Sequence, residues 1–144
     1  MRMKEALYGK LKGRVIIACL AAVLGTAIFA TPAFAGNTQY YFDFQKGDLH
    51  ICGPGYKDDN EQYAYISVRP GDTYFIEGSS AFGNRIRTAA GEYATTYAVY
   101  NYYGTYAKPY YPGYGYTNGT YMLYGMVDES SGTQWIRIWG YWCP

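Results

Sequence analysis

Residues 36–144 predict an all-β fold: a small antiparallel β-sandwich, with a closed barrel as the alternative. Three observations carry that expectation. Short stretches alternate apolar with polar residues, clusters of Gly, Pro, Asn and Asp separate them about every ten positions, and no segment has a convincing amphipathic helical face.

The elements follow in chain order. Residues 39–44 place Tyr40, Phe42 and Phe44 on one face, and residues 49–52 resume the period after Gln45-Lys46-Gly47-Asp48, so the two segments read as a hairpin or as two successive strands. Gly53-Pro54-Gly55 and the polar run 57–61 have no face to bury and read as a loop. Residues 63–68 and 72–77 are the next strands. Arg69-Pro70-Gly71-Asp72 between them suits a type II turn, with proline fixing φ and glycine accepting a positive one. Residues 84–88 and 92–102 follow as strands. In the second, Tyr93, Tyr97 and Tyr100 also match helical spacing, whereas Thr95, Thr96 and Val99 favour the extended state. Residues 104–119, with Pro109, Pro112, Gly113, Gly115 and Gly119, read as an irregular loop ending in an Asn118-Gly119 turn into a strand at Thr120. Residues 121–127 and 135–142 close the chain. In the last, Trp135, Arg137, Trp139 and Tyr141 share one face, and Ile136, Ile138, Gly140 and Trp142 the other. No fixed-period repeat appears, which argues against solenoids and propellers.

Upstream lies a segment of another kind. Residues 1–14 are basic, residues 15–30 are apolar, and Thr31-Pro32-Ala33-Phe34-Ala35 follows. This is the pattern of a secretory signal peptide, with small residues at Ala33 and Ala35 and Gly36 as the new terminus. The expected organisation is a signal peptide over 1–35 and one secreted domain over 36–144, extracellular and with no stable membrane span once the signal is removed. Cys19 sits inside the apolar run and would be discarded with it. Two cysteines remain, Cys52 and Cys143, and an even pair in an exported chain implies a disulfide closing nearly the whole domain.

Residues 36–144 carry seven basic and ten acidic side chains, a net charge of about −3, whose sign rules out a basic, nucleic-acid-binding body. Nineteen of the twenty tyrosines lie here, and the Phe, Trp and Tyr residues total 26, more than a core this small can hide. The densest stretch supplies the candidate binding surface: Tyr102, Tyr103, Tyr106, Tyr110, Tyr111, Tyr114 and Tyr116. Exposed phenol rings there would stack on sugars or meet another protein, so the expected partner is a cell-envelope component, a glycan or a protein.

Catalytic chemistry has little support. The one imidazole, His50, alternates with Leu49 and Ile51 in a strand, and no Gly-x-Ser-x-Gly elbow is present. Carboxylates at Glu61, Glu77, Glu92 and Glu129 leave a small carbohydrate-active hydrolase as the third-ranked function. One histidine and two distant cysteines form no metal-ligand cluster, and no cofactor motif appears, so neither a metal nor a cofactor is expected.

The signal peptide, the Tyr41–Phe44 aromatic segment and the endings Gly119-x-Tyr121-x-Leu123 and Gly140-x-Trp142-x-Pro144 resemble small secreted proteins of Gram-positive bacteria. Those proteins have no assigned function, are grouped in part with bacteriocin-like products, and are encoded near ABC transporters. The resemblance covers the chain ends. It implies a non-enzymatic exported protein of this fold, with a bacteriocin-like effector as the alternative to an envelope-binding protein. The cysteine pair and the tyrosine-rich middle depart from the pattern.

Overall fold

The computed structural model describes residues 37–144; the predicted export segment and its junction at Ala33, Ala35 and Gly36 lie outside the described residues. Eight strands form: β1 (Thr38–Gln45), β2 (Leu49–Tyr56), β3 (Tyr63–Tyr74), β4 (Phe82–Thr88), β5 (Ala98–Tyr100), β6 (Gly104–Pro109), β7 (Thr120–Val127) and β8 (Trp135–Cys143). They pair antiparallel in two four-stranded sheets, β1-β8-β3-β6 and β2-β7-β4-β5, and neither closes on itself. The fold is therefore the expected sandwich rather than the barrel. Only β4 and β5 are both consecutive in the chain and neighbours in a sheet.

Alternation sets the inner faces. In β7, Tyr121, Leu123, Gly125 and Val127 are buried while the residues between them are half-buried; in β8, Ile136, Ile138, Gly140 and Trp142, which the pattern groups on one face, point inward. β1 inserts Tyr40, Phe42 and Phe44 between the sheets, β3 adds Ala64, Ile66 and Val68, and β4 adds Phe82 and Ile86. The rings make a continuous stack. Phe44 and Tyr40 lie over Phe82 at 6.4 and 6.0 Å, Phe82 meets Tyr100 edge-on at 6.3 Å, and Tyr100 lies flat on Tyr106 at 3.8 Å. Tyr40 satisfies its hydroxyl by donating to the Ser67 carbonyl at 2.7 Å. His50 packs edge-on against Phe42 and Phe44.

Several segments depart from the sequence expectation. Residues 45–48 join two successive strands, the second of the two readings, and make a corner between sheets where the other reading had a hairpin: Asp48 N donates to Gln45 O, the Asp48 carboxylate accepts from Gln45 N, and Gly47 takes φ +101°. Residues 53–56 continue β2 beyond an irregularity after Cys52. No type II turn separates two strands at 69–72. β3 runs on through Tyr74 with a register shift along β8, and Gly71 (φ +134°) leaves room for the Trp139 indole, which donates to Pro70 O at 3.1 Å. Residues 75–77 are consequently not part of a separate strand. The presumed loop at 104–119 begins with β6, which pairs with β3 from Tyr63↔Pro109 to Val68↔Gly104. Pro109 is tolerated because β6 is an edge strand. Of the strand expected over 92–102 only β5 at 98–100 forms, with single bridges at Arg87↔Tyr93 and Thr95↔Tyr110; no helix forms there, so the helical spacing of the tyrosines has no structural counterpart. Asn118, at φ +64°, turns the chain into β7 as expected.

The predicted disulfide is absent: Cys52 and Cys143 are not bonded to each other. The two thiols have different surroundings: Cys52 Sγ, on the inner-facing set of β2, lies 3.6 Å from the Gln39 carbonyl, whereas Cys143 in the other sheet is buried with Lys57, Asp59 and Asp58 as charged neighbours. Burial raises the pKa of both thiols, which keeps them protonated and unreactive. Heating with and without a thiol reductant is therefore expected to give the same unfolding midpoint, and alkylation under native conditions to be slow. A midpoint lowered by reductant would restore the disulfide.

The sandwich also buries a lysine that no carboxylate neutralises. Lys108 of β6 is 2% exposed, and its ammonium donates to Asn84 Oδ1 at 3.0 Å. Burial, with a smaller contribution from Arg85, lowers its pKa from 10.5 to about 8. Between those values the unfolded chain binds the extra proton, so stability rises with pH through this window. Above about pH 9 the raised thiols oppose the rise. Above about pH 10 so do Tyr40, Tyr100 and Tyr110, whose raised pKa values mean that they hold their protons only in the folded state. Unfolding free energy is expected to climb by about 1 kcal/mol from pH 7 to 9 and then decline. Lys108→Met is expected to abolish the climb and keep the decline, as read by denaturant melts across pH.

Gly140 supplies a steric test of the same core. A Cβ there would stand 1.7 Å from the Ser67 carbonyl oxygen, the acceptor of the Tyr40 hydroxyl. Gly140→Ala is expected to destabilise by about 3 kcal/mol, measured by chemical denaturation, because backbone and not a flexible side chain must move.

Candidate functional site

The same parity that fills the core decides what each sheet shows to solvent. On the outer face of β8 stand Trp135, Arg137, Trp139 and Tyr141, the set the sequence pattern grouped together. Register then brings β1 residues beside them: Tyr41 opposite Trp139, Asp43 opposite Arg137 and Gln39 opposite Tyr141. From the other side β3 contributes Tyr65, Ser67, Arg69 and Tyr74. One outer face of the sandwich is thus aromatic along its central strand and both flanks.

An ion pair organises it. Arg137 donates to Asp43 Oδ2 through Nε at 3.0 Å and Nη2 at 2.9 Å, and the Trp135 indole donates to Asp43 Oδ1. These hydrogen bonds, from Trp135 first and then Arg137, hold the Asp43 carboxyl below its ordinary pKa. The guanidinium lies over the Trp135 ring at 5.2 Å, and Tyr74 stacks on the same indole at 4.6 Å. Trp139 is pinned through its Pro70 hydrogen bond and meets Tyr141 edge-on at 6.0 Å. Tyr41 is 52% exposed, and Tyr63, Tyr74 and Tyr141 are also exposed.

Beside Tyr141 a small depression of about 40 Å³ is lined by Asn37, Tyr65, Ser67, Arg69 and Thr105. The Tyr65 hydroxyl donates to Glu61 and its pKa is pushed up to about 12, so it stays a neutral phenol. The arrangement offers flat apolar rings with indole, phenol, guanidinium and amide groups at their edges. It can stack and hydrogen-bond a ligand. Among the described residues no three His, Cys, Asp or Glu side chains come together to hold a metal ion.

The seven tyrosines chosen from the sequence do not form one surface. Tyr102 and Tyr116 are 59% and 55% exposed, and Tyr111 is exposed as well. Tyr103 and Tyr114 pack partly against the core, and Tyr103 is tied by its hydroxyl to Thr73 Oγ1 and Phe75 O at 2.9 and 3.1 Å. Tyr106 covers Tyr100 and donates to Tyr102 O at 2.8 Å. Tyr110 was expected to be exposed and is buried, tilted against Tyr121 at 5.1 Å with the Lys57 ammonium 5.6 Å from its ring. Density of tyrosine in sequence did not become density on a surface, because β6 turns alternate residues inward and the loop after it folds over one end of the core. The face that does concentrate rings was legible in the alternation of residues 135–141, which assigned those side chains to one side without fixing which side meets solvent.

No protein-family model, curated protein or solved structure matches the chain.

Proposed function

We propose that this chain is a non-enzymatic binding protein that works outside the cytoplasm at the cell envelope. It engages a glycan chain through the outer face of β1, β8 and β3. The observation that carries this reading is the outward aromatic row Tyr41, Trp139 and Tyr141, in which the Trp139 indole is held by Pro70 and meets Tyr141 edge-on before any ligand arrives. A sugar ring presents an apolar C–H face and a rim of hydroxyls. An exposed indole or phenol can cover the first while its neighbours hydrogen-bond the second. Preorganisation matters because ordering mobile rings on binding would subtract from affinity. The Asp43–Arg137 pair fits a positioning role here: the low pKa of Asp43 makes it a constant acceptor for Trp135 and Arg137 and a poor proton donor for glycosidic cleavage.

The site also differs from the tyrosine-rich stretch first singled out. Tyr102, Tyr111 and Tyr116 remain accessible but are not joined to this row by any ring contact. A direct comparison of the two sets separates the alternatives. In co-sedimentation with insoluble cell-wall polysaccharide, Trp139→Ala with Tyr141→Ala is expected to weaken retention about tenfold or more. Tyr111→Ala with Tyr116→Ala is expected to leave it within about twofold. Equal loss in both pairs, or in neither, would overturn the assignment to this face.

A further inference from the structure

The outer face of the second sheet has a different chemistry, and it contains a pair of cations with no carboxylate partner among the described residues. Gly83, Arg85 and Arg87 point outward from β4, while Phe82, Asn84 and Ile86 point inward. The Arg85 guanidinium lies 4.2 Å from the Tyr93 ring centroid and 5.7 Å from that of Tyr97; the Arg87 guanidinium lies 4.6 Å from Tyr93 and 4.3 Å from Tyr124. Stacking fixes both planar groups but satisfies none of their N–H donors. The Nε atom of each is buried without an acceptor, and the ion pairs among the described residues all involve Lys57 or Arg137 instead.

Arg85 and Arg87 line an open cavity of about 130 Å³ together with Gly83, Tyr97, Tyr124, Leu49 and Met126. Tyr97 is seated by the missing side chain of Gly83, where a Cβ would stand 1.7 Å from its hydroxyl oxygen. It donates to Asp128 Oδ2 at 2.7 Å. That carboxylate also accepts from Ser130 N at 2.9 Å, so it is engaged away from the arginines. Burial and Asp128 together raise the Tyr97 pKa and keep the phenol neutral.

Arg85 and Arg87 leave the strand with Cα atoms about 7 Å apart by strand geometry, and their guanidinium groups gather at the Tyr93 ring, 4.2 and 4.6 Å from its centroid; two like charges brought together there repel each other and gain from an anion that bridges them. The donor geometry discriminates among anions. A single carboxylate has two oxygens in a plane and is satisfied by one guanidinium, whereas a tetrahedral oxyanion has enough acceptors and charge to bridge two. We propose that this cavity is a binding site for a phosphate-type oxyanion, held between Arg85 and Arg87, with the organic group that carries it lying against Tyr97, Tyr124 and Leu49. The site is on the sheet opposite to the aromatic face, so it stands or falls independently of glycan binding.

The test titrates inorganic phosphate and pyrophosphate into isotope-labelled protein at matched ionic strength and follows the arginine side-chain Nε–H resonances. Expected is a saturable shift confined to Arg85 and Arg87, tighter for pyrophosphate, with a dissociation constant of about 1 mM or below. Arg85→Gln and Arg87→Gln are each expected to weaken it at least about tenfold, and Arg85→Lys to weaken it less, while backbone amide spectra report that the fold persists. If a Gln variant unfolds, the Lys variant at the same position carries the comparison. A parallel arm measures co-sedimentation with phosphatidylglycerol and with phosphatidylcholine vesicles. Arginine-dependent enrichment on the first alone assigns the oxyanion to a lipid headgroup, and pyrophosphate binding without vesicle enrichment assigns it to a soluble phosphate compound. Shifts reproduced by chloride, or undiminished in the Gln variants, overturn the proposal, as does the absence of any shift. Trp139→Ala is expected to leave the titration unchanged.

Discussion

Everything in this sandwich depends on fitting large rings into a thin gap. Packed sheets lie about 10 Å apart, and a layer that holds Tyr40, Phe42, Phe44, Phe82, Tyr100, Tyr121 and Trp142 overfills unless facing strands yield space. Glycine yields it. A Cβ on Gly125 would stand 2.6 Å from Phe42 and 2.8 Å from Phe82, and one on Gly55 would stand 2.8 Å from the Trp142 ring. Ring against bare backbone is thus the recurring contact, and it ties β1 and β4 to β7, and β8 to β2. Each glycine here is the complement of an aromatic residue in the opposite sheet or a neighbouring strand, which is why a sequence so rich in both folds without a large aliphatic core.

That complementarity explains what could be read in advance and what could not. Period-two alternation in residues 39–44 and 135–142 grouped the residues that share a face, and with 121–127 marked strands, since one buried face imposes that pattern wherever it occurs. Residues 104–109 escaped because Gly104 and Pro109 bracket them and Ala107 is small; their pairing with β3 is a tertiary fact that no local propensity announces. Residues 69–74 failed in the reverse sense. A Pro-Gly pair has the chemistry of a turn, yet β8 runs alongside both halves and converts it into an irregularity within one strand. Compartment and count imply a cysteine pairing, but neither carries the placement of Cys52 and Cys143 in two different sheets with different surroundings. The aromatic face was legible as a grouping of Trp135, Trp139 and Tyr141, but its flanks, Tyr41 from β1 and Tyr65 from β3, depend on strand order, which alternation does not fix.

The two outer faces are built on opposite electrostatic plans. On the β8 side the cation is answered locally: Arg137 is clasped by Asp43, with Asp72 Oδ1 3.8 Å from its Nη1, so the rings around it form a nearly neutral platform. On the β4 side Arg85 and Arg87 are answered only by ring faces, which attract a cation but neutralise no charge. A domain with net negative charge that keeps two arginines together and unpaired concentrates positive potential in one place. Neutral aromatic contact and focused charge select different ligand chemistries, and the sandwich separates them by the full thickness of its core.

The core in turn holds each face in place. A one-residue slip of β8 against β1 and β3 would carry Arg137 inward with both tryptophans of the outer row and put Ile136, Ile138 and Trp142 in water. Gly140 blocks the slip from another direction, because only a residue without a Cβ can sit against the Ser67 carbonyl that receives the Tyr40 hydroxyl. The same Ser67 uses its hydroxyl to accept from Tyr141 N at 2.9 Å and donate to Tyr141 O at 3.1 Å, fixing the strand position from which the Tyr141 ring emerges. One serine thereby links the most crowded point of the interior to the outward ring row. The backbone position of Tyr141 is set through Ser67, whose carbonyl meets Tyr40 and Gly140 in the core, so a change at either core residue reaches the strand position from which the Tyr141 ring emerges.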